Sequence, residues 1–150
     1  MLNLRFALEL LLRGSIDRLE RDQDGRAHIV DFKTGRSIPS DKSVLENPQL
    51  GVYQIAVREG GLDGELGGGR RIGGAELVQL RDERAKQPGL PKVQVQDPIS
   101  DDETWIDLEL DGAAARVRAE DFRPIRSDIC DRCSFRRCCP AHPEGEQVVS

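Results

Sequence analysis

The sequence predicts an α/β (α+β) fold, a mixed central sheet flanked by helices. Three observations carry that prediction. Apolar residues alternate with polar ones near the N-terminus and again past the middle of the chain. Helix-opening signals stand at Asn47-Pro48 and at Ser100. The order that results is strands, helix, strands, helix. A chain of 150 residues, 37% hydrophobic and 33% charged, has enough apolar surface for one domain with a real core. The domain expected is 1–150, with a core to about 125 and a cysteine-rich segment over about 126–143.

Taken in order, Leu2, Leu4, Phe6, Leu8, Leu10 and Leu12 occupy every second position and predict a strand over 2–12. A second strand is expected over 15–21 and a third over 26–33, completing a meander. They join through Gln23-Asp24-Gly25, where Gly25 suits the left-handed position of a three-residue hairpin loop. Asn47 as N-cap and Pro48 in the first turn open a helix that runs to Gly60-Gly61, with Leu50, Tyr53 and Val57 on one face. Gly51 is unfavourable inside it. Residues 60–74, GGLDGELGGGRRIGG, read as a flexible loop, and their glycines lack the GKS or GKT ending of a phosphate-binding loop. Strands follow over 75–81 and 92–96. Ser100 and Glu103 make a capping-box pattern that starts a helix through Trp105, Leu108, Ala115 and Val117, with Gly112 as a point of interruption. No internal repeat is present.

No apolar run approaches the ~18–20 residues that span a bilayer, and the first residues lack a signal-peptide pattern. A cytoplasmic setting is therefore expected, with no membrane partner, and there the four cysteines point to metal binding before disulfides. The net charge of −5 argues against a free-standing grip on nucleic acid. The arginines are uneven, however: Arg123, Arg126, Arg132, Arg136 and Arg137 crowd one stretch.

The hairpin raises the chemical question. With the loop centred on Asp24, Leu19 meets Ile29 and Asp17 meets Asp31. The period of two puts Asp31 and Lys33 on one face and Phe32 on the other. Like charges directly opposed on a sheet cost up to ~1 kcal/mol. A divalent cation between them removes that penalty, and carboxylate oxygens with water are what Mg²⁺ prefers. Lys33 adds positive charge beside the same place. The other reading is a solvated polar hairpin face. Gln49 and Tyr53, four apart, share a helix face that a strand-to-helix connection can lay over Asp31 and Lys33. Taken singly, Tyr53 also reads as a core residue with a satisfied hydroxyl, and Gln49 as a surface amide.

GSIDRLE, IVDFKTG and NPQLGVY together resemble the RecB-type nuclease domains of the PD-(D/E)xK superfamily. Their pattern is a G-x-x-D-R strand, then D-Y/F-K-T-G, then a Q-x-x-x-Y helix. CDRCSFRRCCPA resembles the cysteine cluster of the iron–sulfur members, so the anchors span residues 14 to about 142. Within the superfamily the likeness is to the nuclease domains of actinobacterial AdnA/AdnB-type helicase–nucleases or of stand-alone RecB-like exonucleases. The resemblance implies a restriction-endonuclease-like fold and a metal-dependent DNA exonuclease. Such an enzyme would act on single-stranded DNA fed by a helicase motor, in cis or in trans, in double-strand-break repair, cytoplasmic and nucleoid-associated. It implies Mg²⁺ or Mn²⁺ held by Asp17, Asp31 and the backbone carbonyl of Phe32. Lys33 then orients or activates the attacking water, and Gln49 and Tyr53 support the site and contact substrate. The family's upstream helix, with a metal-binding histidine and often a first cluster cysteine, has no counterpart here, and His28 points off the acid face. The chain is accordingly read as N-terminally truncated. The alternative is a catalytically inactive nuclease-fold domain that binds DNA or docks a partner.

Cys130-x2-Cys133-x5-Cys139-Pro140 matches three ligands of a 4Fe–4S cluster, with Cys138 surplus and a fourth thiolate required from outside the chain. A competing reading is zinc, since Cys130, Cys133, Cys139 and His142 give C-x2-C-x5-C-x2-H within this sequence. The bland reading is free thiols. Either metal centre would staple the tail and take no part in catalysis.

Overall fold

The structure, a computed structural model, describes residues 2–5, 11–102 and 104–145. They fall into two compact units that divide between Leu110 and Asp111.

The N-terminal alternation folds as a hairpin. β1 (Leu2–Arg5) pairs antiparallel with β2 (Leu11–Gly14), placing Leu4 opposite Leu12. The single strand expected over 2–12 is thereby corrected, and so is the meander, because these strands form a two-stranded sheet of their own. Alternation reports strand character and shared faces, but it does not say where a chain doubles back. Residues 6–10 of the expected strand lie outside the described residues.

Among the described residues the main sheet has the order β3 (Arg18–Arg21), β4 (Ala27–Lys33), β5 (Ile72–Arg84), β6 (Gln87–Gln96). β3 and β4 form the hairpin in the expected register, with Arg18 opposite Val30 and Leu19 opposite Ile29. Its turn is held by the Asp22 carboxylate, which accepts from the Asp24 and Arg26 amides, and by Gly25 at φ 75°. β4 and β5 are parallel, and a parallel pair needs a crossover. Here it contains α1 (Asp41–Val44), α2 (Pro48–Arg58) and α3 (Asp63–Leu66). β5 and β6 close an antiparallel hairpin whose polar, exposed outer ends extend both strands past the lengths that periodicity reveals. The result is the mixed sheet with helices that the sequence predicts.

α2 begins as predicted: the Asn47 side chain accepts from the Leu50 amide at 3.1 Å, and Pro48 sits in the first turn. Gly51 has a reason to be there. A Cβ at this position would lie 2.8 Å from Trp105 Cη2 and 3.1 Å from Ile106, because α4 (Trp105–Arg118) begins against it. α4 runs through Gly112 uninterrupted. Glu103 of the expected capping box lies outside the described residues. The flexible loop expected over 60–74 is also corrected, since it holds α3 and the start of β5. Leu62 and Leu66, one turn apart, are buried there, and Gly67 ends the helix at φ 61°. The Leu66 carbonyl accepts from Arg21.

The core of the first unit joins Ile29, Ala75 and Leu77 of the sheet to Leu50, Ile55 and Val57 of α2, with Val44 and Ile106. Each large side chain so buried contributes about 1.5–3 kcal/mol. Four buried glutamines lie among them: Gln54, Gln79, Gln94 and Gln96. Gln96 Nε2 donates to the carbonyls of Val44, Leu45 and Asn47 at 3.0–3.3 Å, and its Oε1 accepts from Gln54 at 2.8 Å. Gln94 Nε2 donates to the Pro39 carbonyl and the Asp41 carboxylate, and its Oε1 accepts from Gln79. These amides tie the connection between β4 and α2 to the sheet.

Candidate active site

Two elements, β4 and α2, converge on Asp31. It lies on β4 two residues before Lys33, on the same face, and is only 4% exposed. Gln49 in the first turn of α2 and Tyr53 one turn on present the opposing side. Lys33 Nζ stands 2.7 Å from Asp31 Oδ2 and donates to Gln49 Oε1 at 2.6 Å. Gln49 Nε2 donates to Asp31 Oδ1 at 2.9 Å and to the Tyr53 hydroxyl at 2.9 Å. Tyr53 in turn donates to the Ser15 carbonyl at 3.1 Å, which ties the cluster to the chain entering β3. Asp31, Lys33 and Gln49 thus close a ring of contacts, with Tyr53 as its strut.

Asp17 joins from the bend just before β3. The strand expected over 15–21 begins only at Arg18, so Asp17 stands outside the ladder and not directly opposite Asp31. Its Oδ2 accepts from the Phe32 amide at 2.9 Å, which fixes the aspartate beside the strand that carries Asp31 and Lys33. Asp17 is exposed and Asp31 is buried. Asp31 Oδ2 has no aligned hydrogen-bond donor, and its compensation is the ammonium of Lys33 alone. A buried carboxylate oxygen in that state is costly unless a cation faces it.

The donor set fits a hard divalent cation. Mg²⁺ is usually held by one or two carboxylates and keeps several waters. Asp17, Asp31 and the Phe32 carbonyl offer oxygens of that kind. Among the described residues no group of three or more His, Cys, Asp or Glu gathers as a metal site. His28 takes no part, as expected: its Nδ1 is 3.2 Å from the Gly73 carbonyl and its Nε2 is 3.4 Å from the Glu76 carboxylate.

The cysteines are arranged differently. Cys130–Arg132 and Arg136–Cys138 are 3₁₀ turns, and all four thiols are free. Ser127 donates its amide to Cys130 Sγ, and the Cys138 thiol donates to the Phe135 carbonyl, each at 3.3 Å. Neither Cys130, Cys133 and Cys139 nor that trio with His142 is brought together as a metal site among the described residues. His142 is nonetheless buried, and its Nε2 has no hydrogen-bond partner.

The four glutamines and the Ser15 carbonyl escape sequence reasoning. The signal for the glutamines is present but inverted. In KVQVQ the alternation assigns Val93 and Val95 to the core, yet Gln94 and Gln96 are buried while Val95 is 51% exposed.

In the comparison with family models, the model of the PD-(D/E)XK nuclease superfamily matches residues 2–140 of this chain. Comparison with curated proteins gives no match.

Proposed function

Because this chain belongs to the PD-(D/E)XK nuclease superfamily, we propose that it is a metal-dependent DNA exonuclease with Asp17, Asp31, Lys33, Gln49 and Tyr53 at its active site. The mixed sheet flanked by helices is consistent with the restriction-endonuclease-like core of that superfamily. One observation carries the assignment: the buried Asp31 carboxylate, locked between Lys33 and Gln49, has an oxygen faced only by an ammonium. Mg²⁺ or Mn²⁺ held by Asp17, Asp31 and the Phe32 carbonyl would supply a Lewis acid and a more acidic water. Lys33 places positive charge where the phosphoryl oxygens gain negative charge and orients the attacking water. Gln49 keeps Lys33 and Asp31 in fixed relation, and Tyr53 holds Gln49 against the backbone of Ser15.

The substrate proposed is single-stranded DNA delivered by a helicase motor, in cis or in trans, in double-strand-break repair in the cytoplasm near the nucleoid. The charge of −5 supports delivery by a more basic partner. Among the described residues no helix is long and apolar enough to cross a membrane. The intact contact set around Asp31 favours this reading over an inactive docking domain, which has no need of Lys33 and Gln49 in mutual contact.

For the tail, the spacing Cys130-x2-Cys133-x5-Cys139-Pro140 supports an iron–sulfur centre completed by a thiolate from another segment or chain. The buried, unpartnered Nε2 of His142 favours a second reading, in which Zn²⁺ joins His142 to the same three cysteines. Metal analysis of Cys139→Ser and His142→Ala separates the two.

The nuclease test is direct. Labelled single-stranded DNA is incubated with Mg²⁺ or Mn²⁺ and the wild-type chain, Asp31→Ala or Lys33→Ala. Wild type should shorten the DNA, and both variants should lose at least about 10²-fold in rate. Equal cleavage by wild type and Asp31→Ala would sink the assignment.

A further inference from the structure

Three arginines of the second unit that the active site leaves unused, Arg116, Arg123 and Arg126, line a cavity there. We propose that this unit carries its own subsite for single-stranded nucleic acid, a phosphate seat beside a base seat, on the last turns of α4 and the segment that follows. The proposal rests on the nuclease reading only for its choice of polymer.

Two adjoining depressions make up the subsite. The first, about 600 Å³, is walled by Arg116, Arg123 and Arg126, with Asp121 as its one carboxylate. The second, about 370 Å³, is lined by Ala113, Val117 and Phe122 and shares Arg116 and Asp121 with the first. Asp121 does not repel an anion as a free carboxylate would, because it is spent on Arg123. That guanidinium donates through Nε to Oδ1 at 2.7 Å and through a terminal nitrogen to Oδ2 at 2.9 Å. Arg116 and Arg126 make no direct ion pair among the described residues, although Arg116 stands close enough to Asp121, and Arg126 to Glu144, to help hold those carboxyls below their ordinary value. Arg116 donates to the carbonyls of Asp121 and Arg123 at 3.4 Å, and Arg126 to that of Ala141 at 2.5 Å. Those neutral acceptors aim the guanidinium groups and leave their donors unspent on any direct carboxylate pair.

The occupant follows from the chemistry of the two seats. All the lysines of the chain precede Asp111, so the cationic side chains at this cavity are arginines alone. A planar guanidinium fork matches phosphate oxygens better than an ammonium does. Phe122, 72% exposed at the lip of the apolar seat, offers a ring to a base. Only an unpaired base has a free face to stack there. A phosphate grip next to a stacking ring, repeated along a flexible strand, is the arrangement by which proteins hold single strands regardless of sequence.

The test uses the full chain in EDTA, so that binding is read without cleavage. A labelled oligothymidylate is titrated at several salt concentrations against wild type, Arg116→Ala/Arg126→Ala, Arg116→Lys/Arg126→Lys and Phe122→Ala. The double alanine variant should bind about tenfold more weakly, and its log–log salt slope should fall by about 1.4 for two lost phosphate contacts. The double lysine variant should keep the slope, and Phe122→Ala should weaken binding while leaving the slope unchanged. Circular dichroism checks that each variant is folded. Unchanged affinity and slope in the double alanine variant overturn the proposal. So does displacement of the DNA by inorganic phosphate or polyglutamate as effectively as by unlabelled oligothymidylate, which would make the cavity a general anion or acidic-protein site. Cleavage in Mg²⁺ is scored separately. A chain that binds through these arginines but never cuts refutes the nuclease reading alone, and one that cuts but binds without them refutes the subsite alone.

Discussion

The surroundings of Asp31 and of the cysteines differ in what holds them. At the first, two regular elements bring Asp31, Lys33, Gln49 and Tyr53 into mutual contact, and the protein's own groups satisfy nearly every polar atom. At the second, four free thiols stand on or beside three-residue turns, and no metal-binding group forms among the described residues. A strand and a helix impose fixed spacings on the side chains they carry, so folding alone assembles the first set. Short 3₁₀ turns impose none over ten residues, and metal bonds themselves are what order such a segment in small metal-binding folds. Stability should therefore depend strongly on the Asp31 cluster and weakly on any single thiol.

The largest effect expected is that of Lys33→Met. It leaves the 4%-exposed Asp31 without its cation, at a cost of about 3 kcal/mol by urea unfolding. In metal-free protein Cys133→Ser should stay within about 0.5 kcal/mol of wild type. Equal losses from the two would break the comparison. Next comes Gln96→Leu, which strips a donor from the carbonyls of Val44, Leu45 and Asn47 and leaves the Gln54 amide short of an acceptor. A loss of about 2 kcal/mol is expected. Because Asn47 caps the helix that carries Gln49, cleavage should fall as well. Gly51→Val should cost about 1–2 kcal/mol by overpacking against Trp105 and Ile106. The only tryptophan of the chain reports this as a shift in fluorescence.

The smallest effect concerns acid. A hydrogen bond from Gln94 and then the Lys92 ammonium hold the Asp41 carboxyl below its ordinary value. A lowered folded pKa gives stability that is present above the unfolded value of about 3.9 and is lost as pH falls through the folded one. Asp41→Asn should therefore flatten the acid limb of the stability curve below about pH 4 and leave neutral cleavage unchanged.

How much of this was legible depends on which physical signal each feature leaves in the chain. The β3–β4 register follows from the turn centred on Asp24, because hairpin pairing is set by its loop. α2 follows from Asn47-Pro48. The contact of Gln49 with Asp31 and Lys33 follows once the crossover lays that helix on the strand. What stayed hidden lies where polarity and burial part company. Gln94 and Gln96 face inward because the connection from β4 to α2 needs donors for its carbonyls, a demand made by tertiary structure that no local pattern displays. α3 hides in a run of glycines because two leucines suffice to bury one turn. The N-terminal hairpin hides because both of its strands continue one alternation.

On the proposed reading, Asp17 and Asp31 form a cation site built by folding, distinct from anything the cysteines do. Mn²⁺ binding followed by electron paramagnetic resonance tests it most directly, because Mn²⁺ prefers oxygen ligands over thiolate. Wild type and Cys130→Ser/Cys133→Ser should show the same saturable binding, and Asp31→Asn should lose it. Unchanged Mn²⁺ binding in Asp31→Asn, or its loss in the cysteine variant, would contradict the account.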